Sequence, residues 1–511
     1  MKLSKKNWRI ALAIIISGVG VFISYAINFV LAPYITKRLG IEAYGFVTLS
    51  KTLVSYAGIV TIALTSFVVR YIAVEYHKND LKEALGYYST SVVSCFALAF
   101  ILFFVSIVCV LFLDKLLRIP DELVKPVKFL FFLVSLNFTI TTITTPFTTA
   151  VYIKNRLDLS GTIKIIAYLL EAAIMFVLFS NYSPNVYYVG VGSLGATLVT
   201  LLTNIVLTKK LTPELHFQKK LASVKKVKSL LSNGIWNSLN QLGNVLNSGL
   251  DLLVSNLMLS GTETGQISVA KTIGTMFVAL LQVVSQPFQP TLIKTYASGN
   301  QNNFLQELKK SMYVCGFFGN IAFAGFLALG NLYYKLWLPS EDSRLLYLLT
   351  IITIFNYITD SLLRPVYYVN TLTLKNRTPC LVTIFGGLLN VVSMYFLLKY
   401  SKMGVFAVVV TTAVIMVLIN LIFNPLYASK CLKIKKGYFY PIIFKHVISC
   451  ITLSCMAYGI TQIIRPNNWV GLIFSAIVIS LIGILIHFSI AFGFKASINY
   501  AKIVIDRIKK V

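Results

Sequence analysis

Runs of about twenty apolar residues recur through almost the whole chain, each long enough to cross a hydrocarbon core of ~30 Å. None alternates with the period of two that a transmembrane barrel strand requires. This reads as an all-α polytopic membrane protein. The runs fall near 9–33, 45–69, 88–113, 129–152, 162–180, 186–207, 230–258, 265–292, 311–334, 345–370, 379–398, 403–428, 442–464 and 468–494, which predicts about 14 transmembrane helices. Charged residues make up only 12% of the 511 positions, against about 25% in soluble domains. The basic start MKLSKKNWR leads into an apolar stretch, Ala11 to Ala32, that is too long for a signal-peptide core, so the first helix is expected to be retained.

Placing the N-terminus in the cytoplasm puts about 32 of the 46 Lys and Arg on the cytoplasmic side, about 11 outside and three within helices. The positive-inside rule supports that orientation, with both termini cytoplasmic. Most of the formal charge of +29 is accounted for in the same way, together with contact with anionic lipid. The seven cysteines are odd in number and scattered, and suggest neither a disulfide framework nor a zinc site.

Residues 39–80 have a weaker copy at 259–300. At a constant offset of 220, Leu39 falls on Leu259, Gly45 on Gly265, Lys51 on Lys271, Thr52 on Thr272 and Tyr76 on Tyr296. The basic stretch 209–228 is the strongest internal boundary. The expected organisation is a six-helix bundle over 1–208, a cytoplasmic linker over 209–228, a second six-helix bundle over 229–428, and helices thirteen and fourteen with a basic tail over 429–511. Parallel repeats of this kind place a substrate path between the bundles, opened alternately by rocking.

The polar residues inside the membrane define the candidate site. In helix seven, Asn237, Gln241, Asn244, Ser248 and Asp251 recur at spacings of four, three, four and three, one face of a regular helix, with Asn240 and Asn247 widening it. Buried amides often glue helices together, but a stripe this long ending in a carboxylate suits a water-filled lumen. Helix eight carries Lys271, Thr275 and Gln282 on a similar face, and Pro287 and Pro290 predict a kink at its cytoplasmic end. Lys51 and Lys271 sit about two turns inside the external ends of equivalent helices, and facing one cleft they would attract phosphate. Against this, each could satisfy a carboxylate or snorkel to the surface. Glu171, mid-span in helix five, is functional by default or pairs with a lysine of another helix. Asp251 and Glu171 are the candidate ion-coupling carboxylates. Asp360 and Arg364 are spaced for a structural ion pair.

The chain has no GxxxxGK[ST] loop, no HExxH and no loop long enough to fold as a catalytic domain. The sequence argues against an enzyme, and no metal site or cofactor is expected.

The opening of the chain resembles the polysaccharide biosynthesis family of Wzx-type oligosaccharide flippases. Pro33, Lys37, Arg38, Leu39, Gly40, Glu42, Tyr44 and Gly45 match the family's first-loop pattern of a proline, a basic pair, Leu-Gly, an acid and Tyr-Gly. The resemblance implies a fold of the multidrug/oligosaccharidyl-lipid/polysaccharide exporter superfamily in the bacterial cytoplasmic membrane. It implies translocation of an undecaprenyl-pyrophosphate-linked sugar repeat unit for O-antigen, capsule or exopolysaccharide. A cationic lumen would hold the substrate, with Lys51, Lys271, Asn237, Gln241, Asn244, Ser248 and Gln282 as its candidates, and an ion gradient would drive transport. The implied partners are the lipid-linked oligosaccharide, membrane lipids and glycan polymerase machinery, with no nucleic acid. Helix one holds no charge between Ala11 and Ala32. It therefore lacks both the acid of many multidrug exporters and the arginines of lipid II flippases, which favours a glycan-repeat flippase. A cation-coupled multidrug exporter of the same fold and a membrane glycan polymerase or ligase remain the alternatives.

Overall fold

A computed structural model of the chain describes residues 5–493, apart from 155 and 374. The basic tail 495–511 lies outside the described residues. These form helices and connecting turns, with no strand among them. Twelve helices are long and apolar enough to cross a membrane. Helix one, Lys5–Leu39, and the polar helix seven, Val224–Asn244 continued by Asp251–Met258, bring the long helical segments to the fourteen expected.

The repeat persists in the backbone. Helix two consists of Ile41–Thr65 and Val68–His77, and helix eight of Gly261–Ser285 and Phe288–Ala297, so start, break and end all fall at equivalent positions. Asn79 and Gly299 occupy the left-handed region at φ 63° and 72°. Asp80 and Asn300 then cap the next helices, accepting from the backbone of Glu83 and Asn303. Proline accounts for only one of the two breaks. Pro287 and Pro290 flank the break in helix eight, but the corresponding break in helix two falls at Ser66 and Phe67, so the fold imposes the bend with or without a missing N–H.

The chain folds as two compact units, 1–268 and 269–511. In the first, helix seven runs antiparallel along helix two. Near the Leu39–Gly45 turn the two copies of the repeat touch: a Cβ added at Gly45 would lie 3.0 Å from the Cα of Gly265, its own counterpart. Lipid is as apolar as leucine, so such backbone-to-backbone approach does much of the work that hydrophobic burial does in water. The basic linker is not a free tether. Leu215 is buried in a core with Leu64, Val68, Ile72, Tyr88 and Leu230. The backbone N–H groups of Gln218 and Ser223 donate to Ser89 Oγ and Thr90 Oγ1 at 2.9 and 3.1 Å.

In the second unit, helix nine (Gln301–Trp337) packs against helix ten (Ser343–Leu372), helix thirteen (Tyr440–Ile464) and helix fourteen (Trp469–Phe492). Two buried histidines fasten the last two helices. His446 Nε2 donates to the carbonyl of Ile358 at 2.8 Å, and His487 Nε2 to that of Tyr313 at 3.0 Å. Because both partners are acceptors, each Nε2 carries the proton. Each Nδ1 then accepts, from Asn320 Nδ2 at 3.2 Å and from Ser449 Oγ at 2.7 Å.

Candidate functional site

Helix seven changes character where its sequence is most polar. Val224–Asn244 is regular, Val245–Gly249 widens into a π turn, and a regular helix resumes at Asp251. The Leu250 N–H reaches back five residues to the Val245 carbonyl at 3.0 Å. Such a turn disturbs the regular hydrogen-bond ladder, and single π turns concentrate at functional sites. Helix two serves one of the carbonyls: the Tyr56 hydroxyl donates to Gly249 O at 2.6 Å. A turn or two nearer the linker, Ser238 Oγ donates to the Ile59 carbonyl.

The π turn redirects the polar stripe. Asn237, Asn240, Asn244 and Ser248 are exposed and Gln241 is half-buried, so these polar residues look away from the protein, while Ser238 on the opposite face is buried against helix two. Asp251, one face-mate further on in a regular helix, is instead only 4% exposed, and Asn247 only 2%. The extra residue in the turn rotates the helix beyond it, so the face drawn at uniform helical spacing ends at Ser248 rather than at Asp251. Asp251 lies within electrostatic reach of Tyr56, beside the bonded carbonyl.

Lys51 is exposed in the third turn of helix two, and its charge reaches Glu171. Glu171 is half-buried in helix five, Leu157–Asn181, against Gly192. Lys271 is half-buried and Gln282 exposed, both on helix eight in the second unit. The first unit therefore offers a cation, an acid and an exposed row of amides and hydroxyls. The second offers Lys271 and Gln282.

Asp360 and Arg364, in the second unit, belong to a closed network. Arg364 Nη2 lies 2.8 Å and Nε 2.9 Å from Asp360 Oδ2. The Tyr367 hydroxyl lies 3.0 Å from Asp360 Oδ1 and 2.9 Å from Asn420 Oδ1. Asn420 in turn donates to Thr359 Oγ1 at 3.3 Å and accepts from Asn424 Nδ2 at 3.0 Å. Asn420 sits in a second π turn, Ile419–Phe423, within helix twelve. Sequence reasoning found the ion pair but missed Tyr367, Asn420 and the two histidines. The available signal was polar side chains inside strongly apolar helices: His446 and His487 are two of the four histidines in the chain.

The fold is similar to that of solved structures described as MOP superfamily transporters and a flippase. The structure of "Lipid II flippase MurJ, inward closed conformation" is similar at TM-score 0.65 and 14% identity, covering 96% of this chain and 100% of that one. The inward-facing conformation of a multidrug resistance MATE family transporter of that superfamily is similar at TM-score 0.61 and 14% identity, covering 85% and 97%. Residues 11–296 match the polysaccharide biosynthesis protein family, and the chain belongs to that family. It is also 26% identical over 451 residues to the "Uncharacterized membrane protein EpsK" of Bacillus subtilis (strain 168), across 88% of this chain and 89% of that protein.

Proposed function

We propose that the chain is a flippase that carries an undecaprenyl-pyrophosphate-linked oligosaccharide repeat unit across the bacterial cytoplasmic membrane, for assembly of a surface polysaccharide. The observation that carries this reading is the exposed row Asn237, Asn240, Asn244 and Ser248 on a helix long enough to reach across the hydrocarbon. A row of amides facing lipid would cost several kcal/mol per unsatisfied group, of order 2–7 kcal/mol each, so the row faces water. Amides and hydroxyls facing water supply what sugar hydroxyls bond to. Lys51 and Lys271 hold the pyrophosphate, the helix-seven row and Gln282 follow the sugars, and Asp251 and Glu171 bind the coupling ion. The repeat halves 1–208 and 229–428 rock to alternate access, with both chain termini in the cytoplasm.

The test is surface glycan display in cells carrying Lys51→Ala, Lys271→Ala or both, with membrane insertion checked by immunoblot. Each single variant should lower display and the double variant should abolish it. Normal display in the inserted double variant would overturn the assignment. Drug efflux driven by a sodium or proton gradient in vesicles, with unaltered glycan, would move the chain to the exporter alternative.

A further inference from the structure

The first unit has a second polar feature, at the end away from the basic linker. There the Asn256 side chain ties down the loop after helix three, accepting from Arg118 N–H at 3.1 Å and donating to Arg118 O at 3.2 Å. Beside that loop lies a cavity of about 1000 Å³ whose lining includes Asp114, Asp121, Glu122, Phe129, Asn185 and Tyr187. Asp114 is committed to Lys128 at 2.8 Å. Asp121 and Glu122 stand exposed on a single 3-10 turn after Pro120 and form no ion pair among the described residues. Phe129 is 46% exposed, and its ring meets that of Tyr187 edge-on at 5.1 Å. The amide oxygen of Asn185 is buried and has no donor among the described residues. A buried acceptor without a donor is costly, and a small turn of the Asn185 side chain toward the cavity it lines would bring that oxygen within reach of a ligand hydroxyl.

We propose that this cavity is a saccharide-binding site, which receives the glycan head group on the far side of the membrane; the assignment of direction rests on the flippase reading. The aromatic pair offers an apolar platform for the C–H face of a pyranose ring. The free carboxylates accept hydrogen bonds from vicinal hydroxyls, and charged acceptors make the stronger bonds. Asn185 takes a further hydroxyl. Two competing ligands fit less well. No group of three or more His, Cys, Asp or Glu among the described residues is placed to hold a metal ion. Pyrophosphate is disfavoured because the lining carries three carboxylates, Asp114, Asp121 and Glu122, and Lys125 as its only cation. The mouth therefore takes sugar and turns away phosphate, the opposite preference to that proposed for Lys51 and Lys271.

The experiment uses the full chain in nanodiscs and the oligosaccharide released by mild acid from the surface glycan of the cells that express it. Binding is read by saturation-transfer NMR in parallel with and without EDTA, with inorganic pyrophosphate as a separate probe. The unsubstituted chain should transfer saturation to the sugar protons. Tyr187→Ala and Asn185→Ala should each weaken binding about tenfold, roughly the loss of one stacking or hydrogen-bonding contact, and Tyr187→Phe should bind within about twofold of the unsubstituted chain. Asp121→Asn with Glu122→Gln, both at exposed positions that folding does not depend on, should admit pyrophosphate that the unsubstituted cavity excludes. Absence of sugar binding by the unsubstituted chain, equal binding by all variants, or binding seen only without EDTA would each overturn the proposal. Those results would leave the lysine experiment untouched, and retained sugar binding alongside normal glycan display in the lysine double variant would instead remove the flippase assignment.

Discussion

The two π turns occupy helices of different units and have opposite surroundings. At Val245–Gly249, the preceding Asn244 and Ser248 of the turn itself are exposed, and a tyrosine from helix two serves the Gly249 carbonyl. Around Ile419–Phe423, Asn420 is 3% exposed and its bonds lead back to helix ten or to its own helix. The same backbone irregularity thus opens a polar face in one place and closes one in the other. A polar group inside a membrane chain is consequently a candidate site where it stands exposed; where it is buried in a network bonded across helices, it holds those helices together. Substitutions at the two turns test that division.

The largest effect belongs to the closed turn. Arg364→Ala leaves the Asp360 carboxylate without its cation at a position where both side chains are 16% exposed. Breaking one half of such a buried pair costs about 3 kcal/mol or more. The variant should be recovered from membranes in sharply reduced amount and melt well below the unsubstituted protein, whereas Lys51→Ala should melt normally. A normal melt for Arg364→Ala would mean that the network is wetter than its bonds indicate, and the contrast between the turns would lose its basis.

A matched pair of hydroxyl deletions gives a smaller effect and a more exact comparison. Tyr367→Phe removes the hydroxyl shared by Asp360 and Asn420, and Tyr56→Phe removes the donor to Gly249. Each should cost about 1 kcal/mol. The difference lies in where the loss is felt. Tyr367→Phe should lower global stability with transport otherwise intact. Tyr56→Phe should raise amide exchange locally after Gly249, by about fivefold for 1 kcal/mol, and should lower glycan display. Identical, purely global behaviour in the two variants would place both turns in the structural class.

How much the sequence disclosed depends on the range of the forces involved. Helix existence, count and repeat were legible because apolar length decides them; the Asp80 and Asn300 caps at equivalent ends of the repeat came only with the structure. The polar stripe was legible only as far as Ser248, since periodicity assumes uniform turns and a π turn is set by what helix two supplies. The bend in helix two was not legible at all, having no proline to mark it. The docking of Leu215 onto helices two and three, and the fastening of helices thirteen and fourteen through His446 to Ile358 and His487 to Tyr313, depend on partners far away in sequence. No local pattern announces those.

The smallest effect on stability is the sharpest test of the comparison. Asn244 precedes the open turn and Ser248 lies within it, both exposed, and Ser248 Oγ returns to the Asn244 carbonyl at a long 3.2 Å. Replacing both by alanine removes no buried side chain, so the melt should shift by no more than about 0.5 kcal/mol. Glycan display should nevertheless fall, because the row loses two consecutive groups that a sugar would bond to. Asn420→Ala is the counterpart at the closed turn: it strips partners from Tyr367, Thr359 and Asn424 and should lower the melt clearly. If Asn244→Ala with Ser248→Ala destabilised the protein as much as Asn420→Ala, the open turn would be a packed joint rather than a wetted face, and the flippase reading would have to rest on the lysines alone.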